Sequence, residues 1–150
     1  SVHLDYGMDI TVISIKEGTG NLLFAGLANG LYVLKNKQLQ YYPVSPKSFG
    51  IDIAESDFKD QKMELDKNDC LFLCTDGYQD QFSGNYTVVE KFNTGRFEKL
   101  LYEIGNGKSF VNSETVLRQS LENWKDKREQ IDDILILGIK SLLRLNQLFY

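Results

Sequence analysis

Histidine is nearly absent from this sequence: His3 is the only one in 150 residues, which also hold two cysteines, two prolines and one tryptophan. With its single imidazole beside the N-terminus, a Ser-His-Asp or Cys-His nucleophilic site has no natural base. A zinc centre of the cysteine–histidine type lacks ligands for the same reason. The net charge is -4, and no cluster of Lys and Arg counters it, so the charge pattern argues against a nucleic-acid surface. No apolar run approaches the roughly 20 residues that cross a bilayer, and the first residues do not read as a signal peptide. The chain begins at Ser1 rather than Met, which predicts processing or excision from a longer protein.

The two cysteines, Cys70 and Cys74, share one apolar run. On a strand, four steps of roughly 3.3 Å hold them about 13 Å apart. A disulfide needs Cα atoms within about 7 Å, so the pair cannot bridge each other there. They read as small core hydrophobes, and the lack of a disulfide framework predicts a reducing compartment, the cytoplasm.

What is present is ordinary for a folded domain: 42% hydrophobic and 25% charged residues, in a chain long enough to bury a core. β-Branched and aromatic runs predict strands at Ile10–Ile15, Leu22–Leu27, Leu31–Leu34 and Leu39–Tyr42. Ala28-Asn29-Gly30 reads as a hairpin turn between the second and third. Pro43 and Pro46 open an irregular polar stretch reaching about Asp60, and Cys70–Cys74 follows as a short apolar strand. Phe97, Leu100, Leu101 and Ile104 then fall on one helical face, with Thr94 as N-cap and Gly105 and Gly107 as the stop. A second helix begins near Ser113, with the stripe Leu117, Leu121 and Trp124. Ile131–Leu137 is predicted to be a last buried strand. The order predicts an α+β domain, a mostly antiparallel β-sheet flanked by helices. The apolar end, Ser141–Tyr150, places Leu142, Leu145 and Phe149 on one helical face, for docking on the core, a partner or a second subunit.

Carboxylates meet strand ends at two places. Leu71-Phe72-Leu73-Cys74-Thr75 delivers Asp76 to the end of an apolar strand, and Gly77 lets the chain turn sharply. Asp132 and Asp133 stand side by side before an aliphatic run. Two adjacent acids at a core boundary are costly to bring together without a cation. The plain alternative is an ordinary Asp-Gly turn and a solvated acid pair. With histidine and thiol sites excluded, an all-oxygen site favours Mg²⁺ or Mn²⁺, which act on phosphate esters by polarising the phosphoryl group and activating water.

The segment Thr75-Asp76-Gly77-Tyr78-Gln79-Asp80-Gln81-Phe82 and the segment Gln130-Ile131-Asp132-Asp133-Ile134-Leu135-Ile136-Leu137-Gly138 resemble two metal motifs of the PPM-type, protein phosphatase 2C-like bacterial Ser/Thr phosphatases. Gly7-Met8-Asp9, Leu23-Phe24-Ala25-Gly26 with Leu31-Tyr32, Leu65 to Asp69 with Asn68 in place of the usual Gly, and Trp124-Lys125 resemble further elements of that family, in family order. The subgroup is similar to the stage II sporulation protein E and sigma-factor-regulator phosphatases.

The resemblance implies part of the PPM phosphatase β-sandwich, with Asp76, Asp132 and Asp133 as candidates for a two-metal Mn²⁺ or Mg²⁺ site. Asp76 and Asp132 would be ligands, Asp133 a hydrogen-bonding neighbour or the reverse, and Gly77 would shape the turn. The implied substrate is a phosphoserine or phosphothreonine protein, such as an anti-sigma-factor antagonist, in bacterial partner-switching signalling. The family's earlier acidic strand and "D-x-x-G-H-G" motif have no counterpart here. Residues 1–150 are therefore expected to be a single incomplete domain, the C-terminal portion of the catalytic domain, inactive until joined by the missing N-terminal part. An exposed sheet edge or face, with self-association into a homodimer, is a further expectation. The alternatives are a pseudophosphatase serving as a binding or dimerisation module, and an unrelated interaction domain.

Overall fold

In the computed structural model, residues 7–49, 54–85, 87–107 and 110–142 are described. β1 (Ile10–Ile15), β2 (Asn21–Leu27), β3 (Leu31–Lys35), β4 (Gln38–Tyr42), β5 (Gln61–Glu64) and β6 (Cys70–Cys74) come first. The one-turn helix α1 (Gly77–Asp80), then α2 (Thr94–Asn106), α3 (Ser113–Lys125) and β7 (Ile136–Lys140) follow. The strands form two antiparallel sheets, ordered β1-β2-β5 and β4-β3-β6-β7. The architecture is the α+β arrangement expected from the sequence.

The runs in β3 and β6 are apolar on both faces because both faces are covered. Leu31, Val33 and Leu71 pack with Leu22 and Phe24 of β2 to fill the space between the sheets. Tyr32, Leu34, Cys70 and Phe72 point the other way, against Phe97, Leu101 and Ile104 of α2. The molecule is thus layered sheet, sheet, helices, with the β3–β6 pair central. Its register sets Leu31 against Leu73 and Val33 against Leu71.

Several local readings need correction. Ala28-Asn29-Gly30 does not close a hairpin: β2 and β3 belong to different sheets, so this turn carries the chain between layers. The tight hairpin is one step later, where Asn36 and Lys37 both have positive φ (50° and 61°), as a two-residue turn demands. β5 pairs with β2 and lay hidden in the sequence because Gln61-Lys62-Met63-Glu64 is mostly polar. Asn93, not Thr94, caps α2, its side chain accepting from the Arg96 N–H at 3.1 Å. Gly105 lies inside that helix; a Cβ there would sit 2.4 Å from Leu34 Cδ2, so glycine is needed for close packing on β3. Gly107 is the C-cap. Asn68 takes φ 74°, a left-handed conformation that asparagine tolerates better than most residues. The expected helical face in the C-terminal tail falls largely outside the described residues.

Burial leaves four weak acids in environments that disfavour their anions. Desolvation pushes the Tyr32 and Tyr78 hydroxyls and the Cys70 thiol up, and the Cys74 thiol up to about 12. A raised folded-state pKa means that the unfolded chain releases its protons first as pH rises. Stability contributed by these groups is therefore intact below about pH 8 and declines above the ordinary thiol and phenol values. The melting midpoint should fall steadily between pH 8.5 and 11 in a calorimetric series. A midpoint that holds level to pH 11 would show that these side chains are not desolvated as described.

Candidate metal centre

The two acidic motifs are well separated in sequence, Asp132 standing 56 residues after Asp76, but they flank neighbouring strands. β6 pairs antiparallel with β7, with Cys74 opposite Ile136. Beyond that pair the ladder continues through one side chain. The Thr75 N–H donates to Leu135 O (3.0 Å), the Thr75 hydroxyl donates to Asp133 O (3.0 Å), and it accepts from the Leu135 N–H (2.9 Å). The stretch expected to be a buried strand from Ile131 is therefore irregular until Ile136. Ile131, Leu135 and Leu137 are exposed. Regular pairing stops at Cys74 because the segment that follows β6 turns away into α1.

Asp76 occupies the N-cap position of α1, and its carbonyl accepts from the Asp80 N–H at 3.0 Å. Its carboxylate makes no capping hydrogen bond and stands exposed. Gly77 opens α1 rather than making a left-handed turn. A Cβ at Gly77 would lie 2.5 Å from Asp133 O, so the glycine provides room for the two motifs to touch. Gly77→Ala should cost about 1–3 kcal/mol, the usual range for overpacking against backbone. Chemical denaturation would measure it, and a loss under 0.5 kcal/mol would contradict the close approach.

Asp132 and Asp133 are both exposed, and Asp132 Oδ1 accepts from the Asp133 N–H at 2.7 Å. Gln130 Nε2 donates to Asp132 O at 2.7 Å. The structure thus places Asp76 and Asp133 on adjoining backbone, joined by Thr75 and Gly77, with Asp132 one residue away. Among the described residues, no group of three or more His, Cys, Asp and Glu is gathered to hold a metal ion. The donors present are of the kind that hard divalent cations prefer, all carboxylate oxygen on anchored backbone. Bound through one oxygen each, they would fill at most about three of the roughly six positions around such an ion.

Sequence reading gave no separate role to Thr75, Tyr78 or Gln81, although all three stand in the first motif. Tyr78 is buried between Phe92 and Phe97, with ring centroids 5.0 and 5.2 Å away, and its hydroxyl donates to Leu117 O of α3 at 2.9 Å. Gln81 is fully buried, and the sequence offered only its place between Asp80 and the aromatic Phe82 as a signal. Trp124 donates its indole N–H to Gln81 O (2.9 Å), with the Arg96 guanidinium over its ring.

No protein-family model and no curated protein sequence matches the chain. Solved structures do. The SiaA PP2C domain of Pseudomonas aeruginosa matches 89% of this chain with a TM-score of 0.77 at 22% identity. The fold is that of the PP2C-type phosphatase domains. The RsbU and RsbW domains of Rv1364c from Mycobacterium tuberculosis match 94% of the chain at TM-score 0.67 and 14% identity. The Mn-presoaked phosphatase domain of the cell fate determinant SpoIIE from Bacillus subtilis matches 88% at 0.59 and 13%. The chain spans 51% of the length of the first of these structures, 38% of the second and 56% of the third. No helix among the described residues is long and apolar enough to cross a membrane.

Proposed function

We propose that this chain is the C-terminal part of a metal-dependent phosphatase catalytic domain that hydrolyses phosphoserine or phosphothreonine on a signalling protein. The observation that carries the reading is the junction of the two acidic motifs. Thr75 and Gly77 bring Asp76 against the Asp132–Asp133 segment, on a PP2C-type fold. Asp76 and Asp132 would hold Mn²⁺ or Mg²⁺, with Asp133 beside them. The manganese-soaked SpoIIE domain supports that choice of ion. Bound there, such ions supply charge for the phosphoryl group and an activated water.

This chain's own contribution is to hold two carboxylates rigidly on one side of the metal site. The remaining ligands would come from the rest of the domain, since the solved PP2C-type structures are about twice as long. By itself the chain should be inactive. An anti-sigma-factor antagonist is the kind of phosphoprotein we expect as substrate, in the cytoplasm. Exposed Met8, Val12 and Leu23 on and beside the β1–β2 surface suit the missing part of the domain or a second copy. The pseudophosphatase alternative is disfavoured by the presence of Asp76 and Asp132, which a decaying site need not keep.

The test is phosphate release from a phosphothreonine peptide with Mn²⁺, comparing this chain with a longer protein carrying the N-terminal part. Activity in the longer protein alone supports the reading. Metal-independent activity in either, or silence in the longer protein with its ligands intact, overturns it.

A further inference from the structure

We infer that Gln81 is the positioning residue for Asp132, setting where that carboxylate stands relative to Asp76; this rests on the metal-site reading above. The Gln81 side chain is fully buried, yet its primary amide is spent on backbone four dozen residues away. Nε2 donates to Glu129 O at 3.0 Å, and Oε1 accepts from the Ile131 N–H at 3.4 Å. Nε2 also lies 3.3 Å from Phe82 O. A side-chain amide that donates to one residue and accepts from the residue two further on reproduces what a neighbouring strand would offer. Gln81 therefore holds the backbone of Glu129–Ile131 as a parallel neighbouring strand would, beyond the end of the antiparallel β6–β7 ladder.

Its placement gives that hold a consequence for the site. The hold ends at Ile131, one residue before Asp132. On the other side, the Thr75 hydroxyl grips Asp133 O and the Leu135 N–H. The Asp132–Asp133 pair is thus held between two side-chain clamps. Both clamps belong to the seven-residue segment Thr75–Gln81 that also carries Asp76, so the backbone bearing the three carboxylates is held as one body. Gln81 is anchored in turn: its carbonyl accepts from Trp124 Nε1 (2.9 Å) and from the Phe92 N–H (2.9 Å). Glutamine is required by reach and by chemistry. Asparagine is one methylene short, and methionine fills the volume but offers neither the donor nor the acceptor.

The experiment is nitrogen-15 relaxation on the 150-residue chain, as Gln81→Met and the milder Gln81→Asn, with substoichiometric Mn²⁺ as a paramagnetic probe. Residues 131–133 should drop from the rigid order-parameter range of about 0.85 to below about 0.6 in both variants. The amides of Leu137 and Ile139 in β7 should keep their order. In the parent chain Mn²⁺ should broaden Gly77 and Asp132–Asp133 together. In the variants Gly77 should still broaden and Asp132–Asp133 should broaden at least several-fold less. Unchanged order at 131–133 in a folded variant overturns the assignment. A uniform loss across β7 and α2 also overturns it, because it marks a merely structural glutamine. If order is lost as expected but Mn²⁺ broadens neither motif in the parent chain, Gln81 still positions Asp132 and the metal reading is what fails.

Discussion

Asp76→Asn, introduced into a protein that carries the whole domain, should lower Mn²⁺-dependent phosphopeptide hydrolysis by at least about 100-fold. Loss of groups that merely orient metal ligands costs roughly 10–100-fold, and a direct ligand should cost no less. The same change should leave stability within about 0.5 kcal/mol, because the carboxylate is exposed and caps nothing. That separation between activity and stability is the signature of a functional acid. An unaffected rate would remove Asp76 from the site, and a matching loss of stability would make it a structural residue instead.

The largest effect on folding should come from Phe97→Ala. Phe97 is buried on α2 between Tyr32, at 6.1 Å between ring centroids, and Tyr78, at 5.2 Å. Removing it opens a cavity under the central sheet and breaks both aromatic contacts. A loss of about 3–5 kcal/mol follows from the usual cost of such truncations. Against a typical total of about 5–15 kcal/mol, this should lower the thermal midpoint by roughly 10 °C or more. It should also loosen Tyr78, and with it α1. Val111→Ala, at a side chain 91% exposed, is the control and should move the midpoint by less than 2 °C. Equal midpoints for the two variants would contradict the core as described.

Most of the strands and both long helices were legible because their apolar spacing matches the faces they bury. Phe97, Leu100, Leu101 and Ile104 read as one helical stripe and pack as one. Cys70–Cys74 read as a fully apolar strand and is, with β3, covered on both sides. Where the reading slipped, a side chain or a layer change had replaced a local signal. The turn at Ala28–Gly30 joins two sheets, which neighbouring residues alone do not reveal. Gly105 resembles a helix stop, but a contact with Leu34, seventy-one residues earlier, decides its role.

The site shows the same division. Asp76, Asp132 and Asp133 stood out because acids beside apolar strands are conspicuous. The elements that join them did not, since Thr75, Gly77 and Gln81 act on backbone more than fifty residues away or nearly so. An Asp-Gly pair reads as a turn whether its glycine serves φ or space. Only the approach of Asp133 O to Gly77 distinguishes the two.

The most direct test of the account is a double-mutant cycle in Mn²⁺ affinity on a protein that carries the whole domain, measured by electron paramagnetic resonance. Asp76→Asn and Asp132→Asn should each weaken binding, and the double variant should bind little worse than either single one, because both acids serve one ion. Losses that add independently, or single variants that bind Mn²⁺ as well as the parent, would contradict a shared metal site at the junction of the two motifs.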